Sequence, residues 1–86
     1  MAERIDVLEM FKQAAEEVDN RRLPDLKADT AIATLGMDSV AVMELVSYFE
    51  EKLSVRIPDE ELSRIRTVKD LRDAIAKLLP DREFAA

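Results

Sequence analysis

The 86-residue chain carries 13 Lys and Arg against 19 Asp and Glu, a formal net charge of −6, with no histidine and no cysteine. That inventory removes thiolate chemistry, disulfides, cysteine zinc sites and the ordinary general base near neutral pH. It also disfavours nucleic acid and anionic membrane surfaces as partners, since both are bound chiefly through Lys and Arg. A basic partner surface fits better.

With 37% charged and 48% hydrophobic residues and a single glycine, the chain suits an all-α bundle better than a sheet protein. One domain spanning residues 1–86 is expected, near the lower size limit for folding without a covalent or metal staple. The start has neither the basic nor the apolar region of a secretory signal, and no apolar run approaches the roughly 20 residues of a membrane span, so a cytoplasmic monomer is expected.

The first helix is expected over about Ala2 to Val18, where Val7, Leu8, Phe11, Ala14, Ala15 and Val18 share one face. From Asp19 to Met37 the periodicity lapses and Pro24 interrupts it. This predicts one long ordered loop, pinned by Leu23, Leu26, Ile32 and Leu35, and a loop of that length in a small domain points to function.

A second helix begins at Asp38 or Ser39 and runs to about Leu53. At about 100° per residue, Val42, Leu45, Val46, Phe49 and Leu53 form a core stripe. Val40, Met43, Glu44, Ser47 and Glu51 lie on nearly the opposite face, apolar at the centre and acidic at the rim, the layout of a partner-docking surface. Val40 and Met43 also admit a reading as peripheral core, and each acid alone is most simply a solvated side chain.

Ile57-Pro58-Asp59-Glu60-Glu61-Leu62 reads as a short helix of about two turns, with proline and acids where the helix dipole favours them. Thr67 caps a last helix with Asp70 three residues on, and Val68, Leu71, Ala74, Ile75 and Leu78 form its buried face. Pro80 ends it and leaves residues 80–86 as a flexible tail. Charge is uneven along this plan. Residues 1–37 carry −3, residues 38–61 carry −5, and residues 62–86 carry +2, so acidity concentrates just after Ser39.

Ser39, at the loop-helix junction, is either a helix cap or a handle for covalent attachment. Leu35-Gly36-Met37-Asp38-Ser39-Val40, Met43-Glu44-Leu45-Val46, Ile57 to Glu61 and Thr67-Val68 together resemble the acyl carrier protein family over nearly the whole chain. The family's attachment signature is Asp-Ser plus an apolar residue, usually leucine, and Val40 is a conservative departure.

The resemblance implies a 4′-phosphopantetheine arm on Ser39, taken from coenzyme A by a separate magnesium-dependent phosphopantetheinyl transferase. Acyl groups would ride on the arm's thiol as thioesters between acyltransferase, ligase or synthase partners with basic docking surfaces. That makes the protein a non-catalytic carrier. Gly36 would permit the turn, and Asp38 would either cap the helix or help hold the transferase's metal. The implied docking residues are Met37, Val40, Met43, Glu44, Ser47, Glu50, Glu51, Asp59 and Glu60.

Met37, Val40 and the basic last segment depart from the commonest fatty-acid form and point towards polyketide or related biosynthesis, with a fatty-acid carrier as the alternative. A peptidyl or aminoacyl carrier is the next alternative, although that relative commonly has a second glycine where Met37 stands. Outside the family, the competing readings are an unmodified acidic interaction module and an enzyme built on carboxylates, the latter disfavoured by the residue inventory.

Overall fold

Helix α1 (Val7–Asp19) packs against α2 (Ser39–Leu53), with the rings of Phe11 and Phe49 at its centre, 6.3 Å apart and tilted at 54°. Both rings are fully buried, and such a pair contributes roughly 0.5–1.5 kcal/mol beyond its area burial. The computed structural model describes residues 4–85. A single-turn α3 (Asp59–Leu62) and α4 (Val68–Leu78) complete the mostly helical architecture.

The ends depart from an all-α plan. Strand β1 (Arg4–Asp6) pairs in parallel with β2 (Glu83–Ala85), Ile5 opposite Phe84. Ile5 is buried and Phe84 packs half-buried against the core, so the segment expected as a flexible tail returns to the bundle. The first helix accordingly starts at Val7. Asp6 stops it by accepting the Glu9 N–H at 3.1 Å as N-cap. Ala2 and Glu3, expected as helix, lie outside the described residues.

The stretch between α1 and α2 is less irregular than one long loop. It contains a 3-10 helix over Ile32–Leu35 and is joined edge-on to the start of α4. The Lys69 and Ile32 N–H groups donate to the carbonyls of Ala28 and Arg66, each at 2.8 Å, and the Val68 N–H to that of Thr30 at 3.3 Å. Leu26 and Ile32 are buried, and Leu23 and Leu35 pack half-buried against the core.

In α2 Leu45, Phe49 and Leu53 of the expected stripe are buried and Ala41 joins them, while Val42 and Val46 pack against the core only half-buried. Those two valines are half-buried because they face a cavity on the α3 side. The short helix has one turn instead of two, with Pro58 as its cap.

Helix α4 opens on a complete capping box. Thr67 accepts the Asp70 N–H, and Asp70 Oδ2 accepts the N–H groups of Thr67 at 3.1 Å and Arg66 at 3.0 Å. The backbone donors of Arg66 and then Thr67 hold the Asp70 carboxyl below its ordinary value of 3.8. A lowered folded-state value stabilises the fold above the unfolded carboxylate's pKa, and that contribution is lost as pH falls through the folded value. Asp70→Asn is therefore expected to lower the melting temperature at pH 7 and to shrink the further loss seen on acidification. Thermal unfolding from pH 7 down to pH 2 checks both, and an unchanged acid limb contradicts the account.

Candidate functional site at the start of α2

The three residues before the first turn of α2 set its geometry. The 3-10 helix ends at Gly36, whose φ of 77° is the left-handed conformation that L side chains rarely adopt. Met37 then packs half-buried against the core, which leaves part of its side chain at the surface. Asp38 is extended and is the N-cap: Oδ1 accepts the Ala41 N–H at 2.8 Å. Its backbone carbonyl takes the Val42 N–H at 3.0 Å, the first intrahelical bond.

Ser39 is thereby the first helical residue, exposed, with the cap already filled by its neighbour. Its hydroxyl projects where unpaired N–H groups and the helix dipole favour an anion. An exposed alcohol at a helix N-terminus fits a phosphodiester: the charge is placed where the backbone stabilises it, and the cap need not be given up.

The outer face of α2 is laid out as its pattern implies. Val40 and Met43 are exposed by 63% and 68%, which removes their reading as peripheral core. They form the floor of a shallow groove with Val18 from α1 and Tyr48, rimmed by Glu17, Glu44, Ser47 and Glu51. The Lys52 ammonium lies 5.4 Å over the Tyr48 ring, which draws the one cation of this helix towards an aromatic face. Asp59 and Glu60 are exposed on α3.

Two acids have other work. Glu50 is half-buried, and its Oε2 accepts the Ile57 N–H at 2.7 Å, latching the α2–α3 connection. Glu61 is paired at 3.6 Å with Lys77 of α4. Glu50 therefore has a fold role that its place among the expected docking acids did not reveal.

Between α2 and α3 opens a cavity of about 660 Å³. Ile32, Val42, Leu45, Val46, Leu62 and Leu71 line it, while Ser47, Glu50, Arg56 and Asp59 contribute polar groups. It is large enough for a small organic group. Sequence patterning missed it because a helix stripe facing a cavity reads the same as one facing a packed core.

Arg21 was missed as well. Its guanidinium donates to the Gly36 carbonyl at 3.3 Å and is paired with Asp19 at 3.0 Å. No spacing rule connects an arginine after one helix to a glycine fifteen residues on.

An exposed serine at the head of a helix with an apolar, acid-rimmed outer face matches what the sequence resemblance implies for a phosphopantetheine-binding carrier domain. The family model for the phosphopantetheine attachment site matches residues 9–75. An acyl carrier protein of Helicobacter hepaticus is 43% identical over 67 residues, 76% of each chain. The anthracycline acyl carrier protein DauA of Streptomyces sp. (strain C5) is 39% identical over 69 residues, covering 78% of this chain and 81% of that one. The crystal structure of the acyl carrier protein from Thermotoga maritima superposes with a TM-score of 0.79 at 37% identity, covering 87% of this chain and 88% of that one.

The chain belongs to the acyl carrier protein family. It is a non-catalytic carrier whose cofactor is a covalently attached 4′-phosphopantetheine, and it works with synthases, transferases and related enzymes. No helix among the described residues is long and apolar enough to cross a membrane.

If Asp38 is the cap, Asp38→Ala should cost about 1 kcal/mol of stability, whereas Ser39→Ala should be neutral to within about 0.5 kcal/mol. Urea unfolding of the two variants checks this. The reverse order of effects would make Ser39 the cap.

Proposed function

We propose that Ser39 is the residue that carries the 4′-phosphopantetheine arm, and that the protein presents acyl thioesters on it to partner enzymes docked along α2. The single observation carrying this reading is the division of roles at the helix start: Asp38 caps, and the Ser39 hydroxyl stays exposed and unspent. Docking is assigned to Val40, Met43, Glu44, Ser47 and Glu51, with Asp59 and Glu60 at the α3 end. A partner that places an apolar side chain over Val40 and Met43 and cations over the flanking glutamates matches this face.

For the pathway, we assign the cargo to polyketide or related biosynthesis. Met37 and Val40 beside the Asp-Ser pair, the likeness to the anthracycline carrier and the polar groups around the cavity support that direction. The Helicobacter relative covers a similar share of the chain, so a fatty-acid carrier is the alternative.

Incubation with coenzyme A, magnesium and a phosphopantetheinyl transferase of broad specificity, followed by intact mass, tests the assignment. The wild type should gain one arm and Ser39→Ala none. Glu44→Lys should be modified about three- to tenfold more slowly at low salt, with the difference fading as salt screens the encounter. No gain on the wild type, or an equal gain on Ser39→Ala, overturns the reading of Ser39. An undiminished rate for Glu44→Lys at low salt overturns the docking face.

A further inference from the structure

Arg21 holds the turn that leads to Ser39, and three independent contacts fix it there. Its backbone N–H donates to the Ala15 carbonyl at 3.2 Å, just after the left-handed cap Asn20, so its main chain belongs to the end of α1. Its Nε is paired with Asp19 Oδ2 at 3.0 Å, which orients the guanidinium. Nη2 then donates to the Gly36 carbonyl at 3.3 Å, across fifteen residues of chain.

The guanidinium also lies close against Gly36. A Cβ at that position would sit 3.4 Å from Nη1, 3.8 Å from Cζ and 3.9 Å from Nη2. Those are ordinary van der Waals distances, so the guanidinium leaves room for a side chain there, and the positive φ alone calls for glycine. Glycine has the most backbone freedom of any residue, so a donor on its carbonyl restrains motion where the chain has most to lose. Arginine suits the place because its rigid fork serves a carboxylate and a carbonyl together, which a lysine ammonium on a flexible stem does poorly.

We propose that Arg21 is a positioning residue for the modification of Ser39, clamping the Leu35-Gly36-Met37 turn to the end of α1 so that Asp38 and Ser39 keep one presentation to partner enzymes. The proposal rests on the reading of Ser39 as the attachment residue. Without the clamp the turn samples other conformations. A partner that binds only the competent one then sees an affinity reduced by the competent fraction, and the chemistry on the bound serine is unchanged. The signature is a raised KM at constant kcat.

The test uses Arg21→Ala and Arg21→Lys with two readouts. Gly36 is the chain's only glycine, so its amide is an easily recognised backbone reporter by NMR relaxation. In Arg21→Ala its order parameter should fall from about 0.85 towards 0.6. The KM for Ser39 modification by the transferase should rise about three- to tenfold with kcat within about twofold, since one exposed charge-assisted hydrogen bond is lost. The melting temperature should stay within about 3 °C of wild type, as for other surface substitutions. Arg21→Lys should recover part of the KM and serves as the test variant if the alanine form does not fold.

A Gly36 amide that stays rigid in Arg21→Ala overturns the clamp. A loosened Gly36 with an unchanged KM overturns its role in presentation. Wild-type protein that takes no arm at all overturns the reading of Ser39 instead, and the relaxation of Gly36 still decides the clamp.

Discussion

The hydrogen bond from the Ala41 N–H to Asp38 Oδ1, 2.8 Å long, is the contact on which the site depends. Helix starts leave backbone donors unpaired, and serine and aspartate compete to satisfy them. Here the aspartate comes first in the chain and takes the cap. The serine is displaced by one position onto the helix, where its side chain is exposed and its oxygen is available for a bond to phosphorus. One residue of register separates the capping side chain from an exposed hydroxyl outside the cap.

That register is held from behind by contacts that are not helix packing. The chain from Ala28 to Ile32 is bonded edge-on to Arg66, Val68 and Lys69, which anchors the loop to the start of α4. Ile32 drops into the core from this edge, the 3-10 helix follows, and Gly36 reverses the chain in a left-handed conformation. Asp70 contributes from the far side by capping α4 and holding the N–H groups of Arg66 and Thr67 in place. The turn before Ser39 is therefore supported from two sides, by α4 through the backbone edge and by α1 through Arg21.

Much of this was legible in the sequence where the signal is local. The apolar faces of α1 and α4 follow the helical period, and Thr67 and Asp70 stand at capping-box spacing. Val40 and Met43 fall opposite the core by angle alone. The errors lie where tertiary context decides. Three-residue strands at the two ends of the chain are too short to show alternation, and their pairing joins residues about eighty apart. Asp6 followed three places on by Glu9 marks the start of α1, in step with an apolar face that begins at Val7. The core stripe of α2 holds at Leu45, Phe49 and Leu53, but Ala41 belongs to it and Val42 and Val46 lie at its edge, facing a cavity. Glu50 has the composition of a docking acid and the position of a loop latch, and only the contact with Ile57 distinguishes them. Arg21 had no local signal, because its partner lies at the far end of an aperiodic segment.

Asp38 alone caps α2 and leaves the Ser39 hydroxyl outside the cap, and hydrogen exchange at the Ala41 amide is the sharpest check on that division. With Asp38 as sole cap, Ala41 should exchange at the same rate in the wild type, in Ser39→Ala and in protein carrying the arm, and faster only in Asp38→Ala. Loss of protection in Ser39→Ala, or on attachment of the arm, would show that the serine shares the cap and would contradict the division of roles on which the carrier site is built.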